Sequence, residues 1–278
     1  MKNRTHAWTR YGHPTAVLLL CLVAVGLPVW LALVTSAKSQ SDANIPNLSL
    51  PTEWYLLENY AQAFSQGEVW EGLFGSLLVM VPSVIGVILF GSLASWILAR
   101  RTSRWVAIAY SVAISGVILP PAIVTVVLLL RQLGLAGTPG GMIMVYMGMY
   151  MSIVIFFMTG FVRTIPVELE EAARIDGAGP FRTFFQVIFP LLKPVIATAT
   201  ILVCLYIWND VFYSFFVISG GDTTTLQLNL FQVASSNLYQ NNWNLIFAYV
   251  VISSLPLLIV FIFAQRRVIS GITGGAVK

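Results

Sequence analysis

Charge is scarce in this chain. Only 9% of its 278 residues are Asp, Glu, Lys or Arg, while 58% are hydrophobic and the mean hydropathy is +0.84. Soluble domains carry about 25% charged residues. A surface this poor in charge excludes a soluble enzyme, a disordered chain and a coiled coil, and leaves a polytopic membrane protein. Histidine is scarce too. His6 and His13 both precede the first apolar run, so no histidine-based metal centre or triad lies in the apolar segments. None of the four lysines follows a glycine. The phosphate-binding loop G-x-x-x-x-G-K-[ST] is therefore absent, and the chain does not bind and split ATP in that way. The two cysteines, Cys21 and Cys204, sit in apolar runs and read as small buried hydrophobes, with no disulfide framework. Asp210 is the only acidic residue well inside an apolar run. Proton-coupled transporters use chains of intramembrane ionisable groups, so any uphill transport here would draw its energy from a partner.

What is present is a series of apolar runs long enough to cross a bilayer, which takes about 20 residues per helix. Six qualify: 15–37, 73–99, 106–130, 142–162, 195–219 and 245–264. The first is preceded by Lys2, Arg4 and Arg10, as a signal peptide would be, but its apolar run is too long and its end, Thr35-Ser36-Ala37, is a weak cleavage site. It reads as a retained anchor. Thirteen of the fifteen Lys and Arg residues fall on one side of this arrangement, and only Lys38 and Arg131 on the other. The positive-inside rule then places both termini in the cytoplasm. The basic residues lie in short clusters between spans, so nucleic acid is not the partner their charge points to. The segment from Lys38 to Gly72, rich in Asp and Glu, reads as a solvated outer loop with Trp54, Tyr55, Tyr60 and Trp70 as interfacial anchors. The organisation is an N-terminal arm (1–14), a six-span domain (15–264) and a C-terminal tail (265–278). Pro82, Pro120, Pro121 and Pro256 lie within spans, and Pro120-Pro121 predicts a break or kink in the third. The methionines between Met142 and Met151 read as adaptable packing.

The loop 163–194 differs from the other connections and reads as helix, turn, helix. Pro166 suits a first helical position and Glu168 a first turn. Glu170 and Arg174 form an i, i+4 pair. Ala172 and Ala173 keep one face small, and Gly177 supplies the stop. Asp176 lies where the helix dipole disfavours an acid, which points either to a partner, Arg182 or an arginine on another protein, or to simple solvation. Beyond Pro180, residues Phe181, Phe184, Phe185, Ile188 and Phe189 form one apolar stripe, expected to pack beneath the protein's own spans. In the fifth span, Asp210 needs protein or a wet cavity around it. It reads equally as part of a translocation wall or as a helix–helix hydrogen bond. Tyr206, Trp208, Tyr213 and Phe216 nearby could stack on a sugar or simply pack.

Glu171-Ala172-Ala173, three residues, Gly177, nine residues, Val187-x-Phe189-Pro190 resembles the E-A-A-x(3)-G-x(9)-I-x-L-P loop of permease subunits of ABC importers, with Val187 and Phe189 as apolar departures. The string from Glu171 to Pro180, Trp208-Asn209-Asp210, and the tail from Gln265-Arg266-Arg267 to Gly271-Ile272-Thr273-Gly274-Gly275-Ala276-Val277-Lys278 resemble carbohydrate-import permeases of the maltose type. The resemblance covers roughly 73–278. It implies an all-α membrane protein of the type I importer permease fold, with six transmembrane helices and a cytoplasmic helix-turn-helix coupling loop. It implies that Glu170, Glu171, Ala172, Ala173, Arg174, Asp176 and Gly177 belong to a loop docking on an ATPase. It further implies that Trp208, Asn209, Asp210 and Tyr213 line the path, and that Arg266, Arg267 and Lys278 sit in a flexible tail reaching between ATPase subunits. The implied assembly is a second homologous permease, two ATPase subunits carrying ATP and magnesium, and an extracytoplasmic binding protein. This chain would have no cofactor and no catalytic site, and would sit in a bacterial or archaeal cell membrane importing a sugar or oligosaccharide. The alternatives are a non-sugar cargo and a self-sufficient secondary transporter.

Overall fold

The structure is a computed structural model that describes residues 13–66, 68–119, 121–237 and 242–276. Among these residues the regular structure is all helix, joined by turns and irregular segments, and we number the helices in chain order. α1 (Pro14–Ser36) contains one π-helical turn, Leu22–Gly26, and is followed by α2 (Leu56–Gln66), α3 (Val69–Arg100), α4 (Arg104–Ser115), α5 (Ile123–Gln132) and α6 (Pro139–Val162). α7 (Glu168–Ile175), α8 (Pro180–Leu191), α9 (Lys193–Trp208), α10 (Phe212–Val217), α11 (Leu226–Asn237) and α12 (Trp243–Ala276) complete the chain.

Four helices, α1, α3, α6 and the Trp243–Ile262 part of α12, are long and apolar enough to cross a membrane. α8 and α9 add a fifth if the pair, bent by 76°, is one span. The expected third and fifth spans are not continuous. The third is interrupted between Ser115 and Ile123, where Pro121 removes a backbone donor; Pro120 lies outside the described residues. The fifth stops at Trp208 and resumes at Phe212. Neither Pro82 nor Pro256 ends its helix.

The chain divides into two compact units. One comprises the chain up to Trp70 with Asn229–Pro256. Its organising residue is Asn59 on α2, which is buried and donates from Nδ2 to the carbonyls of Ser36 (2.9 Å) and Lys38 (2.8 Å). Lys38 is completely buried and donates from Nζ to Asn47 Oδ1 (2.7 Å), Asn47 O (3.3 Å) and Ser49 Oγ (3.3 Å). Asp42 Oδ2 accepts from the backbone N–H and the hydroxyl of Thr52. The segment expected to be a solvated loop is thus a built structure, with α2 inside it and a buried lysine beneath it. Cys21 is exposed rather than buried.

The other unit, Glu71–Leu228 with the chain from Leu257, packs α3, α6 and α9 around Val79, Val87, Met142, Tyr146, Val154, Met158 and Val203. Close approach is set by small residues on α3. A Cβ on Gly86 would lie 2.6 Å from Met147 and one on Gly91 2.7 Å from Val154. Val162, Ile165, Phe184, Ile188 and Leu192 form a second apolar cluster under α8.

Candidate functional site

The loop 163–194 has the expected helix, turn, helix form. α7 begins at Glu168, and its first turn holds Glu168, Glu170 and Glu171, which the dipole favours. Pro166, expected at the first helical position, lies two residues ahead of it, and Val167 is the N-cap. Gly177 closes the turn at φ +79°, a conformation in which any Cβ is strained. Pro180 opens α8.

The consecutive residues Glu170, Glu171, Ala172 and Ala173 of α7 have different surroundings. Glu170 is buried. Its Oε1 lies 2.6 Å from Nε of Arg100, the last residue of α3, and its Oε2 accepts from Trp96 Nε1 at 3.1 Å. Arg100 also donates to the carbonyl of Ile165 at 2.8 Å. The expected i, i+4 partner, Arg174, is 3.9 Å away and mostly exposed. The principal partner of Glu170 is therefore 70 residues distant in sequence. Glu171, Ala172, Arg174, Asp176 and Gly177 are exposed, and Ala173 is half-buried. Asp176 makes no ion pair among the described residues, since Arg182 donates instead to Gln186 Oε1 at 2.8 Å. Of the phenylalanine stripe, Phe184 and Ile188 are buried and Phe189 is half-buried, but Phe181 and Phe185 are exposed. The π-helical turn Phe184–Ile188 shifts the face that a regular helix would present. Beside Phe181 a cleft of about 460 Å³ opens between α3 and α7, floored by Trp96, Arg100 and Glu170.

The second region is the break after α9. Asp210 Oδ1 accepts from the backbone N–H of Tyr213 (3.1 Å), and Oδ2 from that of Ser214 (2.9 Å). From the residue before the N-cap, Val211, this carboxylate satisfies two first-turn N–H groups of α10 at the break. Oδ2 also accepts from the hydroxyls of Tyr146 on α6 (2.8 Å) and Ser214 (3.2 Å). Trp208 is buried, and Asn209 is exposed and donates to Leu205 O at 2.8 Å. Tyr213 lines a cavity of about 450 Å³ together with Tyr150, Tyr206, Met149, Ile153 and the break between α4 and α5. Tyr150 and Tyr206 are stacked, with centroids 5.7 Å apart and planes 9° from parallel. Tyr146 continues the row, 5.9 Å from Tyr150. Asp210 thus ties a helix start to a neighbouring helix, and the aromatic cavity lies beside it. Phe216 is exposed and packs edge-on against Phe212 and Phe215. Tyr146 and Tyr150 were not singled out from sequence, since four other aromatics lay closer to Asp210 along the chain. In the tail, the α12 backbone stays helical to Ala276 where flexibility was expected. The side chains of Arg266 and Arg267, and all of Lys278, lie outside the described residues, as does the N-terminal arm to residue 12.

Residues 88–273 match the family model of the binding-protein-dependent transport system inner membrane component. The chain belongs to that family. It is accordingly a multi-pass membrane component of a transport system and not the subunit that hydrolyses ATP. The permease is 32% identical to the melibiose/raffinose/stachyose import permease protein MelC of Bacillus subtilis, over 94% of this chain and 95% of that one. It is 32% identical to the diacetylchitobiose uptake system permease protein NgcG of Streptomyces coelicolor, over 95% and 87%. Among solved structures, it is similar to a chain of a bacterial ABC transporter involved in the import of the acidic polysaccharide alginate. That likeness has a TM-score of 0.79 at 22% identity and covers 96% of this chain and 98% of that one. At that identity it shows the fold alone.

Proposed function

We propose that this permease forms one half of the translocation path of an ATP-driven importer for a sugar or oligosaccharide. The observation that carries this reading is the near-full-length likeness to permeases named for melibiose, raffinose, stachyose and diacetylchitobiose transport. In this reading the chain crosses the membrane six times, with α4 and α5 as one broken crossing and α9 with α10 as another. Both termini are cytoplasmic, in keeping with the placement of Lys and Arg. α7 is the coupling helix: Glu171 with Ala172 and Ala173 faces a cleft on the ATPase, and the apolar Ile175 and Phe181, both exposed, dock beside them. Glu170 holds the helix to the end of α3, so that a push on α7 is passed to a membrane span. The tail, with Arg266, Arg267 and Lys278, reaches towards the ATPases. Tyr150, Tyr206 and Tyr213 offer the path ring faces and hydroxyls suited to sugars. A second homologous permease supplies the other half of the path, two ATPases supply the energy with ATP and magnesium, and an extracytoplasmic binding protein delivers the cargo.

The test is copurification from a native membrane with a tag on the N-terminus, followed by uptake assays of the recovered complex in liposomes. A homologous permease, an ATPase with a phosphate-binding loop, and ATP-dependent uptake of a neutral oligosaccharide are expected. A chain that purifies alone and moves solute without ATP would overturn the proposal in favour of a secondary transporter.

A further inference from the structure

The cleft of about 460 Å³ between α3 and α7 has two chemically distinct walls. It lies wholly within one compact unit, and its volume is that of a small-molecule site. Its floor is built, since Glu170, Thr183 and Phe184 are buried. One wall carries the guanidinium groups of Arg100, Arg101 and Arg174. Glu170 is the one carboxylate among the lining residues, and it is spent on Arg100 and Trp96. Arg101 makes no ion pair among the described residues, and Arg174 has only its 3.9 Å approach to Glu170. Two exposed cations therefore line the cleft without an anion of their own.

The other wall is apolar. Leu93 lies about two turns before Arg100 on α3, and Ile97 about one turn before Arg101. Phe90, Leu93 and Ile97 recur at i, i+3 and i+7, one stripe of the helix, and Phe90 and Ile97 are exposed. An unpaired arginine does not stay in hydrocarbon. Arg101 thus marks the level at which α3 leaves the bilayer core, and the stripe runs back into it. α8 gives the same level. It bends 76° from α9, so with α9 as a crossing it lies near the membrane plane, where its exposed Phe185 and Arg182 suit the interface. The cleft is at headgroup depth, cationic at its mouth and apolar towards the bilayer.

We propose that this cleft seats an anionic glycerophospholipid, its phosphate against Arg101 and Arg174 and an acyl chain along Leu93 and Ile97. A free phosphate would use the arginines and leave the apolar wall unmatched. A neutral lipid would use the wall and leave the arginines unpaired. Basic pockets between spans at the cytoplasmic surface suit such headgroups. The side of the membrane rests on the importer reading, which puts the Arg100 end of α3 in the cytoplasm, whereas the choice of an anionic amphiphile rests on the cleft alone.

The experiment is photo-crosslinking of the transporter as purified, in nanodiscs of equal phosphatidylglycerol and phosphatidylcholine with matched chains. The crosslinker p-benzoylphenylalanine replaces Ile97, and the mass of the lipid on its peptide gives the ratio captured. Ile85, exposed on the same helix about 18 Å nearer its start, is the reference position. Phosphatidylglycerol should be enriched about tenfold or more at residue 97 over residue 85, each arginine being worth about fivefold near an anionic lipid. Arg101 and Arg174 are exposed, so Arg101→Gln/Arg174→Gln is expected to fold, and it should bring the ratio down to that at residue 85. Arg101→Lys/Arg174→Lys should keep most of the enrichment. Equal ratios at the two positions, or enrichment that the glutamine pair leaves unchanged, would overturn the site. Loss of the enrichment in excess inorganic phosphate would make the cleft a free-anion site, and crosslinks from residue 97 to a protein chain would make it a protein seat; either result removes the lipid. Enrichment in a chain that purifies alone sinks the importer reading and leaves the site standing. ATP-driven sugar uptake with a flat lipid ratio sinks this proposal alone.

Discussion

Arg100 Nε and Glu170 Oε1 lie 2.6 Å apart, joining the last residue of the 32-residue helix α3 to the third residue of α7. The carboxylate is almost fully buried and the guanidinium mostly so. Trp96 and the Ile165 carbonyl complete the arrangement. A desolvated pair is dearly bought in free energy, so its net contribution to stability is small. Losing either partner alone, however, strands a charge. The pair therefore acts as a positional lock between the loop 163–194 and α3.

Glu170→Ala should loosen α7 without unfolding the bundle. Removing one member of a buried pair costs about 3 kcal/mol, so backbone exchange over Glu168–Ile175 should quicken by about a hundredfold. Arg100→Ala should do the same, and the double variant should fall short of the summed effect by about 1–3 kcal/mol. Hydrogen exchange with mass spectrometry on the purified complex checks this. Strictly additive effects would show that the two side chains do not act as a pair.

Glu171→Lys should behave in the opposite way. Glu171 is exposed and carries no ion pair within the chain among the described residues, so stability should change by less than about 0.5 kcal/mol. ATP-driven uptake should nevertheless be abolished, because the charge is reversed on the face proposed to meet the ATPase. Membrane insertion measured by fractionation should be normal. Normal uptake by this variant would remove Glu171 from the docking surface.

The contrast between these neighbouring glutamates shows what a sequence can and cannot reveal here. Helix and turn in the loop were legible, because Pro180, Gly177 and the acidic first turn are local signals. So was the break near Pro121, because proline acts on its own backbone. Which glutamate is buried was not legible, since the answer depends on Arg100 and Trp96, about 70 residues away. The break at Asp210 was missed because hydropathy runs straight through it. The signal was the short polar pair Asn209-Asp210 inside an apolar run, a carboxylate placed just ahead of a new helix whose first N–H groups it accepts. The burial of Lys38 had no local signal, since its partners Asn47 and Ser49 are ordinary loop residues.

Asp210→Ala should destabilise this region and not merely alter transport. The lost backbone bonds cost about 1 kcal/mol, and the Tyr146 hydroxyl, which loses its carboxylate acceptor but keeps Ser214 Oγ at 3.1 Å, adds about 1 kcal/mol. Tyr146→Phe gives up the same bond from its other end, so the double variant should fall short of the sum of the two single losses. The thermal melt of the purified complex reports this: wild type highest, Asp210→Ala lower, and the double variant lower by less than the two single losses together. If Asp210→Ala melts with the wild type while uptake fails, the carboxylate serves the path instead of the packing.

Lys38→Met keeps the buried stem and removes the ammonium. Asn47 and Ser49 are exposed and can turn to water, so the global melting temperature should change little. The tether is lost, however. Hydrogen bonds from a charged donor are worth about 1.5–3 kcal/mol each, and three of them hold the Asn47–Ser49 turn to the end of α1. The Ser49 amide, bonded to Asn47 Oδ1 at 3.0 Å, should exchange at least about tenfold faster, the effect of about 1.4 kcal/mol of lost local stability. Asn59 provides the control. It is held by the Ser36 and Lys38 carbonyls, not by the ammonium, so α2 should keep its protection. Unchanged exchange at Ser49 would show that the turn is ordered by its own Asn47 bonds and that Lys38 is not its tether.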